Sequence, residues 1–357
     1  MEETTGVGSP KAKLLSLSVL LYGLPIYIFS VFPFSKRLYP NFNSFESPIL
    51  NFILGEKIQY SSLGIIFDVF LLYCLYILFF KKNIVLQNER VYIIFGGIKK
   101  IFRAIFIDKL KGGVQISKEE KVSLLFYLVK IFWTPLMLIF AIENSTSLIK
   151  ILQKDNNWTF TGENVLNLYF PLYISAIFTV DTVIFSLGYL LESKRLKNVV
   201  KSVEPTVLGW ASALACYGPF FDTFTRISGG LPHDFADFGD TKLNIIFGLS
   251  TIFFFTTYVW ASVALGFKAS NLTNRGIVTR GPYKYVRHPA YAAKNIGWII
   301  ASIPMIKINA TVTITSLAIW ILVYYVRAIT EERHLRQDPD YVAYSQKVKY
   351  MFIPGII

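Results

Sequence analysis

Runs of apolar residues long enough to cross a lipid bilayer constrain this chain more than any other feature. A helix needs roughly 20 mainly apolar residues to span the hydrocarbon. Such runs occupy residues 14–34, 61–80, 122–142, 166–191, 205–224, 243–267, 292–306 and 309–329. Lipid offers no hydrogen bonds to the backbone, so these runs must be helical. The expected fold is therefore all-α, a polytopic transmembrane bundle of about eight spans. Composition agrees, with 53% hydrophobic and only 17% charged residues in 357. The first run is too long, and lies too far from the start, for a cleaved signal peptide, and no small-residue cleavage site follows it.

Lysine and arginine concentrate in the loops that an inward amino terminus places on the cytoplasmic side, which puts both termini there. The net charge of +13 then reads as a face attracted to anionic membrane lipids. No basic stripe interleaves with exposed aromatics, so nucleic acid is not an expected partner. Cys74 and Cys216 both fall inside predicted spans, which argues against a disulfide framework or a metal ribbon. Asn144 and Asn157 open N-x-S/T patterns in a loop expected outside. Residues 81–113 alternate basic side chains with Ile and Phe. That pattern suits an amphipathic segment on the inner leaflet, or a packed helix of a cytoplasmic subdomain. The chain divides into helices 1–204 and a C-terminal core, 205–357.

Three charges sit within expected spans: Asp68, Lys130 and Asp181. A charge at the bilayer centre costs at least about 2.5 kcal/mol on insertion scales. These groups therefore either pair structurally or line an acceptor cavity. Asp222 and His233 lie at or beyond the outer end of the fifth run and read as solvated. No second or third ligand at metal spacing accompanies the histidine, so no metal site is expected.

The C-terminal third carries the chemistry. It reads as a span, the polar connector "RGPYKYVRHPAYAAKN", a tight apolar hairpin, and then "RAITEERHLRQDPDYVAYSQKVKYMFIPG". Two antiparallel legs of similar length return the chain to the side it left. Arg287 to Tyr291 should then face Glu331 and Glu332 across the hairpin mouth, while His334 reads as a surface residue.

The combination "GPYKYVRHPAY", "EERHL", "PDYVAYSQKV" and terminal "IPG" resembles the isoprenylcysteine carboxyl methyltransferase and phospholipid methyltransferase superfamily of integral membrane enzymes. The resemblance covers about Asn271 to Gly355, under a quarter of the chain. It implies an S-adenosylmethionine site at the cytoplasmic helix ends and an amphiphilic methyl acceptor arriving from the bilayer. On that pattern Tyr283, Arg287, His288, Pro289 and Tyr291 form one wall of the cofactor pocket. Glu331 and Glu332 hold amino or ribose groups from the other side, and Tyr341 and Tyr344 close over adenine.

Methyl transfer depends on positioning and electrostatics more than on proton chemistry. Arg287 or Arg327 would orient a carboxylate acceptor, whereas an amine or thiol would need a base such as Glu332 or His288. Asn295 and Asp181 are candidate acceptor contacts. The chain departs from the family pattern at Ala293, where glycine is usual, and at the polar Lys294 and Asn295. An NADPH-dependent sterol-type reductase has a comparable multi-span layout, and a transporter would use Asp68, Lys130 and Asp181 as its working charges. No G-x-G-x-x-G follows an apolar strand, which argues against a soluble Rossmann-type methyltransferase.

Overall fold

The computed structural model describes residues 9–26, 48–55, 61–81, 85–108, 113–154, 158–217 and 237–356. Asn157, Asp222 and His233 lie outside these residues. Contacts divide the chain into two compact units, Met1–Pro135 and Leu136–Ile357, and the second is larger than the 205–357 core read from the sequence.

In the first unit, α1 (Pro10–Ser18) starts where the Ser9 hydroxyl accepts the Ala12 N–H and Pro10 takes the first helical position. A short α2 (Pro48–Ile53) follows, then α3 (Ser62–Phe79), capped by Ser61 through the Gly64 N–H. The next helix, α4 (Arg90–Phe106), lies within the basic 81–113 segment. Its Val91 and Ile94 bury against Leu14 and Leu17 of the first helix, Leu21 of the π-turn that follows it (Val19–Gly23), and Ile77 of the third. Phe102 and Phe106 nevertheless remain more than half exposed beside the exposed Lys99 and Arg103. The segment thus has the packed face of one expectation and the free apolar and basic face of the other. Asp68 is buried and accepts the Ile49 N–H at 3.2 Å, and the Lys130 ammonium lies 5.1 Å from the centre of the Phe126 ring.

The boundary between the units falls at Pro135 inside α5 (Lys118–Gln153). Asn144 lies on this helix, its amide donating to the Phe140 carbonyl at 2.8 Å, so its sequon sits on a helix where a loop was expected. The second unit continues with α6 (Gly162–Leu190), which contains a π-turn at Val165–Tyr169. The fifth apolar run supplies only the eight-residue α7 (Val207–Leu214) among its described residues. Asp240 caps α8 (Thr241–Leu265), and α9 (Pro289–Leu335) and α10 (Pro339–Lys347) complete the helices.

The 47 residues of α9 are two helices joined at Asn309, whose φ of −151° and ψ of 89° are non-helical. A straight helix of that length would extend about 70 Å. Instead the Tyr291 hydroxyl meets Glu331 at 2.6 Å, so the legs run antiparallel. The expected hairpin is present, merging the seventh and eighth runs. Among the described residues four helices are long and apolar enough to cross a membrane: α5, α6, α8 and the bent α9. Eight separate spans are not established.

Aromatic packing holds the second unit together. Phe255 of α8 buries with Trp298, Trp320 and Tyr324 from the two legs of α9. Close approach depends on glycine at two places. A β-carbon on Gly297 would fall 2.9 Å from the Phe255 ring, and one on Gly248 only 2.1 Å from the Phe170 ring. The C-terminal carbonyls of α6 need partners that the helix cannot supply. The buried Arg275 guanidinium donates to one of them, Gly188, at 2.5 Å.

A two-residue antiparallel ribbon, β1 (Ser202–Val203) with β2 (Thr273–Asn274), is the only sheet among the described residues. Beside it Leu272 adopts a left-handed φ of 61° and accepts the Glu204 N–H at 2.8 Å. Replacing Gly248 by Val should destabilise the protein by about 1–3 kcal/mol or more through overpacking against Phe170. Thermal unfolding in detergent would measure it, and an unchanged midpoint would contradict this packing.

Candidate active site

The connector after β2 descends into a 3₁₀ turn, Gly281–Lys284, and meets α9 at His288. Pro289 takes the first helical position, where its missing N–H costs nothing. It is buried there and is not among the residues lining the cleft, contrary to the wall position implied by resemblance. Beyond α10 the tail returns to this connector. The Arg287 N–H donates to Tyr350 O at 3.0 Å and the His288 N–H to Met351 O at 2.9 Å.

One ion pair fastens the connector, the second leg of α9 and the tail. Arg287 Nε donates to Glu332 Oε1 at 2.6 Å, and its Nη1 donates to Val348 O at 2.9 Å. His288 Nε2 lies 3.3 Å from the same Glu332 oxygen, and Arg336 approaches the other at 3.3 Å. Burial disfavours the Arg287 cation, yet the Glu332 carboxylate outweighs it and raises the guanidinium pKa. Glu332 is itself buried and is not among the cleft-lining residues. It positions Arg287 and His288, a different place from that of the acid facing the cofactor expected from sequence.

Next to this pair opens a cleft of about 1020 Å³ including its mouth, lined by Tyr283, Arg287, His288, Tyr291, Arg327 and Glu331 among others. The His288 and Tyr291 rings stack at 5.3 Å, and the Tyr291 hydroxyl donates to Glu331 Oε2. Arg327 lies 5.2 Å from the centre of the Tyr291 ring and donates to the side-chain amide oxygen of Asn271. Lys294 also lines the cleft, its ammonium 5.3 Å from the Tyr258 ring and 4.9 Å from that of Trp298. Cations over aromatic faces gain about 0.5–2 kcal/mol as they lose water.

Other expected residues lie elsewhere. Tyr341 and Tyr344 are buried and are not among those lining the cleft; the Tyr344 hydroxyl donates to Tyr283 O at 2.8 Å, fastening α10 to the connector. Burial pushes both phenols up. Asn295 donates to the Tyr291 carbonyl one turn back, and Asp181 accepts the Tyr258 hydroxyl at 2.8 Å from behind the cleft wall. Neither is among the lining residues.

His334 corrects the surface reading: it is buried, lines the cleft and pairs with the Ser202 hydroxyl at 2.8 Å. The sequence also gave no warning of Glu204, a buried acid in the same lining. Both depend on the ribbon, which brings residues 202–204 beside α9. Among the described residues no cluster of three or more His, Cys, Asp or Glu side chains could hold a metal ion.

Bent apolar helices around a polar, aromatic-lined cleft define a helical membrane protein with an enzyme-like site. Residues 246–337 match the isoprenylcysteine carboxyl methyltransferase (ICMT) family, which identifies this C-terminal region as methyltransferase-like. No curated protein and no solved structure matches the chain.

Breaking a buried ion pair from one side costs about 3–5 kcal/mol. Glu332→Gln should therefore lower the unfolding midpoint markedly, and a midpoint within a degree or two of wild type would refute a fastening role. The tail has a second, pH-sensitive attachment. Partial burial pushes the Asp338 carboxyl up, but hydrogen bonds from Lys201 and Asn274 overcome this and hold its pKa below the ordinary aspartate value. Its contribution is complete above the unfolded value of about 3.9 and is lost as pH falls through the lower folded value. Limited proteolysis of the tail should accelerate in that acid range, and less so in Asp338→Asn.

Proposed function

We propose that this protein is an integral membrane S-adenosylmethionine-dependent methyltransferase acting on a lipophilic or amphiphilic acceptor, either an isoprenylcysteine-like carboxylate or a lipid headgroup. The observation that carries this reading is the convergence on one cleft of His288 and Tyr291 with Glu331, which lies 40 or more residues further along the chain. In this reading the chain crosses the membrane several times, with both termini and the cleft on the cytoplasmic side and membrane lipids around it.

The lining suits the cofactor. S-adenosylmethionine combines a sulfonium, an amino-acid group, a ribose diol and adenine, which call for acids, hydrogen-bonding groups and aromatic surface. Glu331, His288 and Tyr291 supply these, together with Tyr283. When bound, the cofactor supplies an electrophilic methyl group. The chain's own contribution is to hold the reactants in line and to exclude water. Arg287 donates to Glu332 and the tail carbonyls, so it is a positioning residue. Arg327 and Lys294 are the cations placed to orient an anionic acceptor, and no proton need move when that acceptor is already ionised.

Thermal-shift measurements with S-adenosylmethionine, its demethylated product and NADPH separate the enzyme classes. Stabilisation by the first two supports methyl transfer, and stabilisation by NADPH alone would support a reductase. Glu331→Gln and His288→Ala should each weaken S-adenosylmethionine binding about tenfold or more by calorimetry, the usual loss for a hydrogen bond to a charged group. Unchanged affinity in both would remove this assignment.

A further inference from the structure

The cleft contains an acid that comes from outside the matched segment 246–337. Glu204 leaves the ribbon and is 2% exposed at the cleft wall. Its Oε1 is heavily engaged: it accepts the Thr206 N–H at 3.0 Å, the Thr206 hydroxyl, and Arg333 Nη2 at 2.9 Å. Its Oε2 is buried and has no hydrogen-bond partner among the described residues. A buried polar atom in that condition carries its full desolvation cost.

Several features hold the carboxylate in this position. Thr206 is both its partner and the N-cap of α7, accepting the Gly209 N–H at 3.2 Å. Trp210 Nε1 donates to the Glu204 carbonyl at 2.8 Å. Gly209 leaves the room that the side chain fills, since a β-carbon there would fall 2.3 Å from Glu204 Cγ. The fold therefore anchors one oxygen and leaves the other buried at the cleft wall without a partner.

We infer that Glu204 is a cofactor-binding residue, whose free oxygen accepts a hydrogen bond from an N–H or O–H group of the bound nucleoside or amino-acid moiety. The inference rests on the S-adenosylmethionine reading above. A bare carboxylate oxygen needs a hydrogen-bond donor, and a trialkyl sulfonium has no hydrogen to give. The group contacted is accordingly one that S-adenosylmethionine shares with S-adenosylhomocysteine. Glu204 completes the donor pocket from a part of the chain beyond the family match.

Calorimetry on the full-length protein in detergent, with each of the two compounds, tests this. Wild type should bind both, and Glu204→Gln should weaken both by about tenfold or more, the loss of one charge-assisted hydrogen bond. Gly209→Ala, which keeps the charge and displaces the carboxylate, should weaken both as well; it serves if Glu204→Gln does not fold. Lys100→Gln, at an ion pair with Glu120 that is no part of the cleft lining, should leave both affinities within about threefold, less than 1 kcal/mol. Loss confined to S-adenosylmethionine would overturn the inference, as would unchanged affinities in Glu204→Gln and Gly209→Ala, because the free oxygen would then meet the sulfonium or no part of the ligand. Failure of wild type to bind either compound would overturn the functional reading itself, and this inference with it.

Discussion

The pair between Arg287 and Glu332 is the contact on which the architecture of the C-terminal unit turns. Its two members are separated by a hairpin of 40-odd residues; Glu332 is buried and Arg287 is partly buried. At the same time the guanidinium reaches the carbonyls of the returning tail. Three stretches of chain that would otherwise diverge are drawn to one point. In a low-dielectric setting such a pair does little for net stability compared with an apolar substitute, but it strongly penalises any arrangement that separates its members. Its value here is in fixing which side chains face the cleft: His288, Tyr291 and Glu331 do, and Glu332 does not.

The cleft combines two sources of residues. Most of the polar wall comes from the segment that matches the methyltransferase family. Glu204 and Gly209 come from the preceding region, while Ser202 secures His334 from outside the match. A two-residue ribbon suffices for this, because the Glu204 N–H and the Lys201 N–H extend its pairing on either side. Within this unit the chain before residue 246 thus lines the site directly, through Phe185 of α6, Glu204, and Gly209 of α7.

The membrane character, the hairpin and the meeting of the 287–291 and 331–332 clusters were legible in the sequence. Apolar runs, leg lengths and polar boundaries report those directly. Orientation within the site was less legible. Glu331 and Glu332 are adjacent on one helix, about 100° apart around its axis, and nothing in the local sequence says which faces the cleft. Tyr341 and Tyr344 looked like ligand-covering rings because aromatic residues suit adenine, yet the same residues suit tail packing. His334 looked exposed because it sits among Arg333, Arg336 and two acids. Its partner Ser202 is 132 residues away, a separation that helical periodicity cannot reveal.

Leu272 adds a last consequence. An L-residue with a β-carbon held at a φ of 61° sacrifices roughly 1 kcal/mol against ordinary backbone. Its carbonyl accepts the Glu204 N–H, and the residue is part of the cleft lining. That local strain is met when the chain folds, before any small molecule arrives. A wall held in this way resists relaxing around its unpartnered acid, and a preformed wall lowers the ordering cost that any ligand of such a cleft has to meet.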